Sequence, residues 1–189
     1  MKAKYFFVFI VSVFFYYIVN GITGIISGGD ALFSQDRLVY YDLDLAQKDK
    51  SDVRVLDLSN TQLSRVPDVV KEFNNLEELI LDFNHIASLP GFLKDLKSLK
   101  RISVNHNKNF DFYETTKALG GMNQLKSFSA ISCGIVHIPY GISYWGNLEE
   151  LDLSGNGLSE VPYFLGFCKK IKALNFSGNH IREIGFVLG

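Results

Sequence analysis

From Val53 onward the apolar positions recur on a fixed spacing. Six segments, starting at Val53, Leu76, Leu99, Leu125, Leu148 and Ile171, align at intervals of 23, 23, 26, 23 and 23 residues. Residues 76–90 read LEELILDFNHIASLP and residues 148–162 read LEELDLSGNGLSEVP. The shared pattern is L-x-x-L-x-L-x-x-N-x-L-x-x-L-P, followed by apolar residues three and six positions after the proline. The fourth and sixth positions alternate with polar neighbours, as in Ile102-Ser103-Val104 and Leu151-Asp152-Leu153. That alternation predicts a short, half-buried strand. A strand so short is not stable alone, so the copies must stack, pairing their strands into a parallel sheet and burying one continuous core.

The ninth position of each copy holds Thr61, Asn84, Asn107, Cys133, Asn156 and Asn179. Here the chain turns inward. Asn offers both donor and acceptor, so a buried column of Asn is expected to serve the turn backbone of its own copy and its neighbours. Thr61 and Cys133 read as smaller substitutes in that ladder. The proline then opens a segment whose inward residues are three apart: Val70 and Phe73, Leu93 and Leu96, Ile142 and Trp145, Leu165 and Cys168. This spacing predicts helical or 3₁₀ turns. The third copy lacks the proline and carries three extra residues. Its Asp111–Leu119 stretch predicts a true α-helix, N-capped by Asp111 and ended by Gly120 and Gly121.

These copies resemble the leucine-rich repeat family, in its 23-residue form, from Val53 to the end of the chain. The resemblance implies an α/β fold: a right-handed solenoid with short parallel strands on the concave face and 3₁₀ or short helical segments on the convex face. Residues 36–52 are too polar for a repeat. They are similar to the N-terminal cap of exported bacterial leucine-rich repeat proteins, with a short helix over Asp42–Lys48 that turns Leu43 and Ala46 inward.

The first 29 residues differ sharply. Lys2 and Lys4 precede an almost wholly apolar run from Tyr5 to Val19, and no charge occurs again before Asp30. This is the order of a secretory signal. The alternative is an uncleaved membrane anchor over residues 5–29, since ~20 apolar residues span a bilayer. Either places the rest of the chain across a membrane, in a secreted, cell-surface or periplasmic location. The expected organisation is a signal peptide or anchor over 1–29, a linker and cap over 30–52, and six repeats over 53–189, the last incomplete. No polar cap follows Leu174, Phe176, Ile181, Ile184 and Leu188. The chain is therefore expected to be part of a longer array, or to have a frayed final edge.

Composition narrows the function. The chain has 19 basic and 20 acidic residues, which gives no basic excess for nucleic acid. Two cysteines make neither a disulfide framework nor a four-thiolate zinc site, and Cys133 and Cys168 are expected free and buried. His85, His106, His137 and His180 share no metal spacing. Residues 105–111 lack the glycine and closing Glu of a calcium loop, and no lysine follows Ser154–Gly157 as a phosphate loop requires. Asn175-Phe-Ser177 matches a glycosylation acceptor only by its three-residue pattern. No catalytic residue, metal or cofactor is expected.

The variable positions beside the strand leucines lie side by side across the copies. Ile80, Phe83, Arg101, Asn105, His106 and Ile131 cluster in the middle copies and supply anchor types suited to a protein partner. The expected function is non-catalytic recognition of a protein or peptide through the concave face, with a glycan as the other ligand class. Membrane contact is expected only through an uncleaved leader. Two alternatives remain from the sequence: the recognition arm of a larger enzyme or signalling protein, and a self-assembling cell-surface protein.

Overall fold

The computed structural model describes residues 38–185, so the leader falls outside the described residues. Seven short parallel strands form one sheet in strictly sequential order. They are β1 (Val39–Tyr40), β2 (Val55–Asp57), β3 (Glu78–Ile80), β4 (Arg101–Ser103), β5 (Ser127–Ser129), β6 (Glu150–Asp152) and β8 (Ala173–Asn175). Register follows the repeat: Leu56 lies beside Leu79, Leu79 beside Ile102, Ile102 beside Phe128 and Phe128 beside Leu151. The fold is the α/β leucine-rich repeat solenoid that the resemblance implies.

The reason is visible in the burial. Leu76, Leu79 and Leu81 are fully buried, as are Leu99, Val104, Leu148 and Leu153. Each proline stands immediately before a 3₁₀ segment: Asp68–Glu72, Gly91–Asp95, Tyr140–Tyr144 and Tyr163–Phe167. Prolines 67, 90, 139 and 162 hold φ between −61° and −77° with extended ψ, values the pyrrolidine ring enforces. From each 3₁₀ segment one residue drops into the core, namely Val70, Leu93, Ile142 and Leu165.

The third coil replaces this turn with helix α2 (Phe112–Ala118), after the cap helix α1 (Leu43–Lys48). Asp111 caps α2 by accepting from the Glu114 N–H at 2.8 Å. Its inner side brings Phe112 against Phe128 and Trp145, with ring centroids 5.5 and 6.1 Å away. Trp145 is fully buried and its indole N–H donates to the Leu119 carbonyl at 3.1 Å. The insertion thus adds aromatic core rather than a loop.

Both ends carry elements the spacing does not announce. The segment expected as a cap holds β1 as well as the predicted helix, in which Ala46 is fully buried. Past β6, β7 (Glu160–Val161) pairs in parallel with β9 (Glu183–Ile184). In the last coil Ile171, Phe176 and Ile181 are only partly buried, and Leu174 is 46% and Ile184 62% exposed.

Candidate functional site

Asparagines tie each coil to the one before it. Asn84 Oδ1 accepts from the backbone N–H groups of Thr61 (3.1 Å) and Leu63 (2.9 Å), and its amide donates to the carbonyls of Leu58 and Leu81. Asn107 accepts from Ile86 N–H and donates to Leu81 and Val104. Asn156 accepts from Cys133 and Ile135 N–H and donates to Ala130 and Leu153. Asn179 repeats the pattern with Leu158, Leu153 and Phe176. Cys133 fills its rung by donating its thiol to the Val104 carbonyl at 3.1 Å. Burial pushes that thiol up to about 11. At neutral pH it is un-ionised, and a thiol is a poor nucleophile in that form. Thr61 turns its hydroxyl to its own coil's Leu58 carbonyl at 2.6 Å.

The position before each rung has a backbone property that the residue pattern only hints at. Asn60, Phe83, His106, Ser132, Gly155 and Gly178 all adopt positive φ, between 53° and 68°. Glycine enters this left-handed region freely, whereas a bulky side chain there is an outlier that costs of order 1–3 kcal/mol. Two adjacent copies nevertheless carry aromatic rings. Phe83 and His106 stack with centroids 4.3 Å apart and planes inclined by 15°. Phe83 is 57% exposed, and His106 is also exposed.

Backbone bonds gather the other predicted residues around this pair. The Phe83 N–H donates to the Asn105 carbonyl and the His106 N–H to the Ile131 carbonyl, both at 2.8 Å. Asn105 itself belongs to a second polar ladder. Its amide donates to Asp82 (3.0 Å), while its Oδ1 accepts from the Ser129 hydroxyl (2.7 Å) and the Ile131 N–H (2.8 Å). Asp82 also accepts from the Ser103 hydroxyl. Arg101 directs Nε and Nη2 onto one oxygen of Glu78, at 2.9 and 2.7 Å. Ile80 and Ile131 are half-buried. The exposed tips of the patch are thus Phe83 and His106. Arg101 and Asn105 are held in place by neighbours on adjacent strands.

Farther along the sheet the side chains shrink. A hollow of about 330 Å³ is lined by Ser127, Ser129, Glu150, Asp152, Ala173 and Asn175, together with the strand leucines. Asp152 accepts from the Asn175 amide at 2.8 Å and from the Ser154 N–H at 2.9 Å. At the strand starts a row of charges pairs across coils: Arg54 with Glu77, and both Lys126 and Lys172 with Glu149. Those two ammonium groups, Lys172 foremost, hold the Glu149 carboxyl down at about 2. Among the described residues no group of three or more His, Cys, Asp or Glu is placed to hold a metal.

The outer turns present something the candidate list omits. Tyr140, Tyr144, Tyr163 and Phe167 are exposed and meet edge-to-face, directly or through Phe164, at centroid distances of 5.2–6.2 Å. The signal was their density in the residues after Pro139 and Pro162, where only the inward positions enter the repeat pattern.

Residues 147–168 match the family model described as Leucine Rich Repeat. No curated protein matches the chain by sequence. Among solved structures, a leucine-rich repeat protein of Leptospira interrogans superposes over 79% of this chain with TM-score 0.70 and 27% identity. A TLR13–ssRNA13 complex matches over 68% with TM-score 0.53 and 26% identity. Human 5T4, or trophoblast glycoprotein, matches over 71% with TM-score 0.56 and 21% identity. The chain spans 38%, 18% and 60% of those three chains, respectively. Among the described residues no helix is long and apolar enough to cross a membrane.

Proposed function

We propose that this leucine-rich repeat protein is a non-catalytic recognition module whose concave sheet face binds a protein or peptide. Ile80, Phe83, Arg101, Asn105, His106 and Ile131 form the contact patch. The observation that carries the reading is the Phe83–His106 stack. Two aromatic residues occupy strained left-handed positions where later copies use Gly155 and Gly178. Strain retained on an exposed residue needs a compensating use, and aromatic anchors on a rigid support are what interfaces employ. The ladders beneath supply rigidity, so little ordering remains to be lost on binding. Catalysis calls for convergent groups in a water-excluding pocket, and an open sheet face of paired side chains favours recognition instead.

We also propose that the chain is exported, with residues 1–29 acting as signal or anchor. The charge-then-apolar order of that segment supports this, and the intact mass of the exported protein checks it.

The test uses residues 30–189, immobilised and exposed to the medium around the producing cells. The wild-type protein is expected to retain a partner that Phe83→Gly and His106→Ala release, with circular dichroism unchanged. Equal retention by both variants removes the patch from consideration.

A further inference from the structure

The chemistry of the occupant can be read one step further, on the premise that the concave face is the binding face. Its exposed columns carry Asp57, Glu78, Asp82, Glu150 and Asp152 against a single cation, Arg101. Glu78 already holds Arg101 through two donors. The row along the strand starts offsets only part of this: Arg54, Lys100, Lys126 and Lys172 stand there against Glu77 and Glu149, which leaves the face and its flank together acidic. Asp82 and Asp152 accept from the neutral groups of Ser103, Asn105, Ser154 and Asn175, so their charge stays on the face. Glu150 is exposed, and Lys172 feels its field.

From this charge imbalance we infer that the occupant is a cationic extended peptide. One of its Arg or Lys side chains lies over the Phe83–His106 rings, and another lies in the hollow beside Glu150 and Asp152. A cation over an aromatic face is attracted by the ring quadrupole. Glu150 and Asp152 sit on β6, two strand steps from the β4 coil that carries His106. At ~4.8 Å per strand the strand steps alone put the two stations about 10 Å apart, and His106 lies further along its coil than Glu150 and Asp152 do on theirs, which adds to this. An extended peptide covers about 10 Å in about three residues at ~3.3 Å each, so the basic residues stand at least three apart. The small side chains of Ser127, Ser129 and Ala173 leave room for the second cation. A polyanion such as RNA meets the same carboxylates as repulsion.

A random peptide library about ten residues long, enough to cross the sheet at ~3.3 Å per residue, is selected against wild-type residues 30–189. The selected peptides are then measured against Phe83→Gly and Glu150→Lys. Glu150 has no side-chain hydrogen bond among the described residues, so its reversal leaves the fold in place, which circular dichroism verifies. The expected result is enrichment of basic peptides whose affinity falls about tenfold with Glu150→Lys, falls with Phe83→Gly, and weakens as salt rises. Neutral or acidic peptides that Phe83→Gly releases would overturn the cationic assignment while leaving the face as the binding site. Peptides indifferent to both substitutions would overturn the face itself. Single-stranded RNA that binds wild type and is released by Phe83→Gly would overturn the assignment as well.

Discussion

Replacing Asn156 by alanine tests the ladder at a buried rung that serves two backbone N–H groups. Its Oδ1 is the acceptor for the buried N–H groups of Cys133 (2.9 Å) and Ile135 (3.0 Å). Alanine leaves both donors without a partner and takes a donor from the Ala130 and Leu153 carbonyls. A stranded buried group costs roughly 1–3 kcal/mol, so the two N–H groups alone set a range of roughly 2–6 kcal/mol. Water entering the vacated volume finds polar partners there and recovers part of this. The expected loss is therefore about 3 kcal/mol, a large share of the ~5–15 kcal/mol that holds a domain together. Asn179→Ala is the internal control. Asn179 is half-exposed and accepts from Leu158 N–H alone, so solvent replaces it more readily and the loss is about 1 kcal/mol. Urea unfolding followed by circular dichroism measures both. A loss for Asn156→Ala under about 1 kcal/mol, or equal losses for the two variants, refutes the enclosed ladder as a source of stability.

Phe83→Gly is expected to hold or raise the urea midpoint, because it removes a strained left-handed side chain, while abolishing partner capture; a clear fall in stability would show the ring to be structural. Glu149, held at about 2 against an ordinary 4.5, stabilises the fold fully above pH 4.5 and loses that contribution as pH falls toward 2. Glu149→Gln should flatten the acid limb of a stability–pH profile in that window, and added salt should shrink the difference. Cys133, pushed up to about 11 and fully buried, should resist alkylation at neutral pH until the protein unfolds, which mass spectrometry of timed samples reports.

The period was legible because burial enforces it: Leu79, Leu81, Leu151 and Leu153 have only one core to face. Asp111 was legible as a cap because an acidic side chain before a helical run can accept from its first turn. Cys133 could be placed because five other copies define its slot. The strand β1 was not legible, since two residues, Val39 and Tyr40, cannot establish an alternation. The pairing of β7 with β9 is equally short. The left-handed column was half-visible: Gly155 and Gly178 signal positive φ, but Phe83 and His106 hide it behind side chains that usually avoid it. Asn105 reads in the chain as a free polar anchor. Only the fold shows its amide shared between Asp82, Ser129 and Ile131, because those partners lie one coil away in either direction.

The direction of the asparagine bonds has a dynamic consequence. Asn84 closes the turn of the coil before it, Asn107 does the same for its predecessor, and Asn156 and Asn179 follow suit. Each of these four loops is latched by its successor, so opening one latch loosens the coil upstream rather than the one downstream. Melting should therefore travel like a zip drawn from the Asn179 side toward the amino-terminal cap. Amide exchange is expected to slow progressively from Leu158 back to Leu63.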